Sequence, residues 1–135
     1  MSDMEQALKK LSDLKGKAVL GGGRERIKKL KEKGYLTCDE RIALLVDPGT
    51  FVEWYTFAGP QPAEFGPNPP YIPRDGVITG FASVSGRTVG VYAHDKTVQG
   101  GSLGNVQAAK IAQLIRKCCE LKVPLIALQD SVGAR

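Results

Sequence analysis

The sequence predicts an α/β fold, and three observations carry the prediction. Apolar residues recur at helical spacing through the first third of the chain. Two runs rich in β-branched residues, 77–85 and 88–94, flank a Ser85-Gly86-Arg87 turn, as in a tight hairpin. A helical pattern over 104–121 then leads into the continuous apolar run 123–128. Such a run suits a strand buried on both faces of a parallel sheet. Helices, hairpin, helix and strand in that order make an α/β layout.

The elements follow in turn. Ser2 and Glu5 form a capping box ahead of Met4, Leu8, Leu11 and Leu14, predicting an amphipathic helix to about residue 19. Gly21-Gly22-Gly23 ends it, because three glycines cost too much backbone entropy inside a helix. A second helix fits 24–33, with Ile27 and Leu30 inward and Gly34 as its C-cap. A second capping box, Thr37 with Glu40, opens a third helix carrying Ile42, Leu45 and Val46, stopped by Asp47-Pro48-Gly49. Residues 50–57 read as a strand. Residues 58–75 hold six of the eight prolines and predict a long loop rather than regular structure. On the 104–121 helix, Val106, Ala109, Ile111, Leu114, Ile115 and Cys118 are expected to face the core. The chain so divides into a helical segment, 1–49, and a second part, 50–135.

Composition narrows the function. The 135 residues suffice for one modest core. No apolar run approaches the roughly 18 residues that span a bilayer, and the N-terminus carries no signal-peptide pattern, so a cytoplasmic location is expected. Cys38, Cys118 and Cys119 form no CxxC, and His94 is the sole histidine. No metal site is expected, and the cysteines are read as small buried hydrophobes. The net charge is +5, and eleven Lys/Arg against seven Asp/Glu place +4 of it in residues 1–41. A basic face of this kind is usually solvated; it suits an acidic partner or a phosphorylated cofactor. Nucleic acid is disfavoured, because the stretch lacks interleaved aromatics and matches no nucleic-acid motif.

Two loops lie where α/β folds hold ligands, at the carboxyl ends of strands. The first, residues 95–104, carries Gly100, Gly101, Ser102 and Gly104 just before a helix. Glycines there permit close approach to an anion, although the spacing matches neither GxGxxG nor a P-loop. The second, Asp130-Ser-Val-Gly-Ala-Arg135, follows the buried strand. A turn of small residues can aim backbone amides at one point, as chemistry that builds charge on a thioester oxygen requires. Ser131 lacks the GxSxG setting of a hydrolase nucleophile. His94 is read as structural, and Asp95 and Asp130 lack the spacing of an acid–base pair.

Taken together, several segments resemble one family. They are Gly21-Gly-Gly-Arg-Glu-Arg-Ile27, Leu36-Thr-Cys-Asp-Glu-Arg-Ile42, Leu45-Val-Asp-Pro-Gly-Thr-Phe-Val-Glu53, Asp75-Gly-Val-Ile-Thr-Gly80, Asp95-Lys-Thr-Val-Gln-Gly-Gly-Ser-Leu-Gly104 and Asp130-Ser-Val-Gly-Ala-Arg135. In order and spacing they resemble the N-terminal part of biotin-dependent acyl-CoA carboxyltransferases, the subunits of propionyl-CoA carboxylases and methylmalonyl-CoA decarboxylases. The resemblance implies a partial crotonase-like ββα spiral after N-terminal helices, making 50–135 an incomplete carboxyltransferase N-domain. It also implies carboxyl transfer between carboxybiotin and an acyl-CoA through an enolate held by main-chain amides.

The site residues that the resemblance implies are the amides of Val132 and Gly133 as oxyanion donors, with Gly100, Gly101 and Ser102 lining the same cleft. Arg24, Arg26 and Arg41 are candidates for the phosphates of CoA. Biotin is expected on a separate carrier protein, alongside a biotin carboxylase or membrane decarboxylase subunits and the remainder of the carboxyltransferase, in a homo- or hetero-oligomer. The family turn is usually Ser-Gly-Gly-Ala-Arg; Val132 stands at its first glycine, where a β-branched residue would resist a positive φ. Family subunits are several times longer. The expectation is therefore an N-terminal portion or split subunit, inactive alone, with a non-catalytic CoA-binding or assembly subunit as the alternative.

Overall fold

A computed structural model describes residues 2–135. Three helices come first: α1 (Asp3–Leu20), α2 (Arg24–Glu32) and α3 (Cys38–Leu45). Strands β1 (Val52–Trp54), β2 (Val77–Val84) and β3 (Arg87–His94) follow, then α4 (Asn105–Leu121) and β4 (Leu125–Leu128). They build one four-stranded sheet in the order β1-β2-β3-β4. The first three strands run antiparallel, and β4 lies parallel to β3 with Gly90 opposite Leu125. The hairpin–helix–strand unit is thus a ββα turn with α4 as the crossover.

Local chemistry explains most boundaries. Both capping boxes form, Ser2 with Glu5 and Thr37 with Glu40. Gly34 takes φ +80 just past α2, and the Tyr35 amide reaches back to the Leu30 carbonyl. The β2–β3 hairpin closes on Ser85 (φ +50) and Gly86 (φ +76), the two positive values of a type I′ turn. The Asp47 carboxylate accepts from both turn amides, at 2.9 and 2.8 Å. Gly22 sits so close to the Thr97 carbonyl that a side chain has no room there. Its amide donates to Thr97 Oγ1 at 3.0 Å, docking the α1–α2 break onto the loop after β3.

The core lies on both faces of the sheet. Cys38 and Ile42 of α3 pack with Ile78, Val89, Val91 and Ala93 on one face. Leu114 and Cys118 of α4 pack with Val77 and Tyr92 on the other. The core therefore runs across the expected division at residue 49. A buried cation adds to it: Arg74 makes two-pronged contacts to Glu53 and Asp39, all between 2.8 and 3.0 Å. It ties β1, α3 and the start of β2 together and stays charged because its carboxylate partners outweigh its burial.

Several expectations are corrected. The first strand is only Val52–Trp54, because Tyr55 turns to φ +59. Strand β4 is not buried on both faces: as an edge strand it leaves Ala127 exposed and its other residues half-buried. On α4, Ala109 and Ile115 face outward, while Gln107 and Lys110 are buried with Leu114 and Cys118. Cys119 is exposed. The apolar stripe of α1 is also uncovered, with Met4 69% and Leu8 57% exposed; Ala18 alone is buried in that helix. Among the described residues no helix is long and apolar enough to cross a membrane.

Candidate functional site

Strand β3 ends at His94, β4 ends at Leu128, and the two are parallel neighbours. The loops that follow them therefore emerge side by side. The glycine-bearing bend and the strand-end turn touch along a short parallel bridge, Leu103 with Ala134. Leu103 N–H donates to the Gly133 carbonyl at 2.7 Å, and Arg135 N–H donates to the Leu103 carbonyl at 2.9 Å. Gly101, at φ +71, lies so close to the Asp130 carbonyl that only glycine fits.

Beside this junction lies a cavity of about 780 Å³. Leu103, Ala108, Ile111, Ala112 and Ile115 form its apolar wall. Tyr92, His94, Gln129, Asp130, Ser131, Gly133 and Ala134 form the polar one. Ile115, outward from the core, thus belongs to the cavity. The combination of apolar lining and a few convergent polar groups is that of a small-molecule site.

His94 is held neutral. Burial pushes its pKa down, nearby Asp130 pulls it back up, and Arg41 pushes it down again. Its Nδ1 accepts the Asp130 amide at 3.3 Å, which fixes the start of the turn. The histidine is a support for backbone here, in keeping with its structural reading.

The amides divide clearly. Val132 N–H donates to the Gly100 carbonyl at 3.2 Å, so this expected donor is engaged within the chain here. The residue is 74% exposed and its φ is not positive, so the β-branched side chain fits without strain. Gly133 N–H meets only the exposed Ser131 hydroxyl, at 3.2 Å. The bridge uses the Gly133 carbonyl and the Arg135 amide, which leaves the amide of Ala134, a residue of the cavity wall, without a partner among the described residues. Sequence reasoning missed Ala134; the signal lies in the alternation of a parallel pairing, legible only once Leu103 is known as its partner.

Gly100, Gly101 and Ser102 stand behind the cavity wall rather than in it. The Gly101 and Ser102 amides close a turn onto the Val98 and Gln99 carbonyls. The three arginines do not act alike. Arg24 is exposed at the start of α2. Arg26 donates to the Thr97 carbonyl at 3.0 Å and, with Lys29, Lys33, Tyr35 and Lys96, lines a separate basic groove. Arg41 is half-buried on α3, within electrostatic reach of His94. Lys96 joins groove and cavity, since its amine pairs with Asp130 at 3.2 Å.

Comparison with known proteins agrees with this architecture. A family model described as "Carboxyl transferase domain" matches residues 29–135. The chain is 46% identical over 132 residues to a propionyl-CoA carboxylase carboxyltransferase subunit of Haloferax mediterranei, covering 98% of this chain and 26% of that protein. It is 36% identical over 135 residues to the methylmalonyl-CoA decarboxylase alpha subunit of Veillonella parvula, covering 100% of this chain and 26% of that one. The transcarboxylase 12S crystal structure, a hexamer solved with methylmalonyl-coenzyme A bound, superposes with a TM-score of 0.93 at 33% identity, covering all of this chain and 26% of that one. A single-chain long-chain acyl-CoA carboxylase superposes at 0.84 with 26% identity, over 96% of this chain and 14% of that one. The chain thus spans about a quarter of the length of the curated relatives it matches.

Proposed function

From this chain's membership of the carboxyl transferase domain family we propose that it supplies the thioester-binding part of an acyl-CoA carboxyltransferase site. The reading is supported by an apolar cavity with two residues of the strand-end turn in its wall: Ala134, whose amide has no partner among the described residues, and Gly133, whose amide meets only an exposed hydroxyl.

Carboxyl transfer to or from the α-carbon of an acyl-CoA passes through an enolate, with negative charge on the thioester oxygen. That oxygen needs donors already in place, because fixed amides stabilise charge without reorganising. Losing one such donor typically costs roughly 3–4 kcal/mol in the transition state. Here the Gly133 and Ala134 amides fill the role, with Ala134 replacing Val132 in the expected pair. The wall of Leu103, Ala108, Ile111 and Ile115 packs the acyl chain and excludes water. Arg26 and the adjoining lysines give the CoA phosphates a cationic path out of the cavity.

A biotin ureido oxygen needs donors of its own. In this reading the carboxybiotin end of the reaction is assigned to other polypeptide. The partners in this reading are the remainder of the carboxyltransferase, a biotin carrier, and a biotin carboxylase or membrane decarboxylase subunits. Oligomeric assembly belongs to the same reading, supported by the hexameric relative.

Calorimetric titration of the chain with an acyl-CoA, ADP and biotin tests it. The expected result is acyl-CoA binding more tightly than ADP by about tenfold or more, the effect of adding a buried thioester to the nucleotide contacts. Equal affinity for ADP and acyl-CoA contradicts the proposal.

A further inference from the structure

The geometry points to Arg135 as a positioning residue: we propose that it clamps the glycine bend to the strand-end turn and so fixes where the Gly133 and Ala134 amides stand. The purpose of the clamp rests on the thioester reading above; the clamp itself rests on contacts alone.

Two stretches far apart in sequence, one at Asp75 and one at residues 99–104, converge on this guanidinium. Its Nη2 donates to Asp75 Oδ1 at 2.5 Å, and its Nη1 donates to Gln99 Oε1 at 2.9 Å. Gln99 belongs to the glycine bend, and Asp75 leads into β2. The third contact is steric. A Cβ on Gly104 would come within 2.5 Å of Arg135 Nη2 and 2.6 Å of Nε. Gly104 has φ −104, which any residue adopts, so a Cβ there would displace the guanidinium from this seat rather than strain the backbone.

Asp75 is an unusual anchor. Its side chain is 3% exposed, and its backbone holds φ +47 between Arg74 at +70 and Gly76 at +78. Its second oxygen accepts the Gln107 amide in the first turn of α4 at 3.2 Å. A carboxylate there is favoured by the helix dipole, and the Gln107 amide holds it independently of Arg135. The Arg135 side chain is 24% exposed, so the pair is shielded from solvent far more than a surface bridge. The guanidinium offers two separate nitrogens to these two acceptors in a fixed fork, where a lysine would offer one nitrogen.

The bends need such a brace. Their backbone link is one isolated bridge plus the Val132–Gly100 bond, which is short of a sheet. Without Arg135 the turn carrying the two amides is free to shift against Leu103.

Two variants of the full chain test the clamp from opposite sides: Arg135→Ala removes the guanidinium, and Gly104→Ala fills its seat. Arg135→Lys is the conservative control. Two readouts are taken. The first is affinity for an acyl-CoA against a CoA thioether that lacks the carbonyl oxygen. The second is amide hydrogen exchange. The clamp predicts that both alanine variants lose the thioester preference by roughly tenfold or more, as expected for misplaced hydrogen bonds, while thioether affinity stays. Exchange at Leu103 and Val132 speeds up in both, exchange at Val91 in β3 does not, and Arg135→Lys restores neither property. Unchanged exchange at Leu103 and Val132 overturns the clamp, and so does a parallel fall in both affinities with faster exchange throughout the sheet. If the unaltered chain shows no thioester preference, the thioester reading fails, and the exchange comparison still decides the clamp.

Discussion

Gly101 shows how tightly single residues hold the site. It combines φ +71 with a carbonyl, that of Asp130, against the place where a Cβ would go. An alanine there has to strain its own backbone and push the strand-end turn away. Gly101→Ala is expected to cost about 2 kcal/mol or more in chemical denaturation and to abolish acyl-CoA binding. Alanine tolerated at wild-type stability and affinity would show that the two bends do not need this contact. The glycine itself was legible in the sequence; the neighbour it accommodates was not. Val132 shows the converse: its departure from the family turn looked costly on backbone grounds, yet its φ is not positive. Residue identity does not reveal φ, which the Val132–Gly100 hydrogen bond sets here. Ala134 is the same lesson, since an amide becomes free or paired only when its neighbour is known.

Among the elements, α4 departs most from its pattern, and the reason is polar. The carbonyls of Arg74, Gly76 and Val77 lie beneath it, each with two lone pairs to fill; the Val77 amide meets that of Arg74 and the Asp95 amide that of Gly76, and α4 supplies further donors. Lys110 Nζ donates to the carbonyls of Arg74 and Val77 at 3.0 and 2.6 Å, and Gln107 Nε2 donates to that of Gly76 at 2.9 Å. Buried carbonyls demand donors, so two polar residues face the core and Ile115 turns out. Periodicity of apolar residues cannot register such a demand. Burial lowers the Lys110 pKa to about 8. Below that pH the amine is charged in both folded and unfolded states, and above about 10.5 it is neutral in both. In between, the unfolded chain binds more protons, so this lysine makes stability rise with pH. Burial also raises the Cys38 pKa, which acts in the opposite sense, but that contribution cancels when wild type is compared with Lys110→Met. The stability difference in favour of wild type is expected to grow by roughly 3 kcal/mol between pH 8 and pH 10.5. Denaturant titrations across that range check it, and a difference independent of pH would mean that Lys110 is not desolvated. Helix starts and the hairpin turn are legible in the sequence because caps and turn glycines act within a few residues, whereas β1 stops short where Tyr55 takes a positive φ. Strand β4 was misjudged, since an edge position is a property of the sheet.

At the scale of the molecule, the ββα unit places two loops side by side because β3 and β4 are parallel neighbours. Element order in the sequence carried that much. It did not carry which faces are covered. The α1 stripe of Met4, Leu8 and Leu11 and the outer side of β4 expose apolar surface that a chain of alternating layers normally covers. The cavity opens beside the junction of the two loops, bounded by α4 and the end of β4. The proposed role of this site therefore turns on what happens to a carbonyl oxygen placed there. Nuclear magnetic resonance of an acyl-CoA labelled with carbon-13 at its thioester carbonyl reads this directly. Amides donating to that oxygen polarise the bond, so the carbonyl resonance is expected to move downfield when the ligand binds, and to move less with Arg135→Ala. A bound ligand whose carbonyl keeps its free-solution shift would contradict the account.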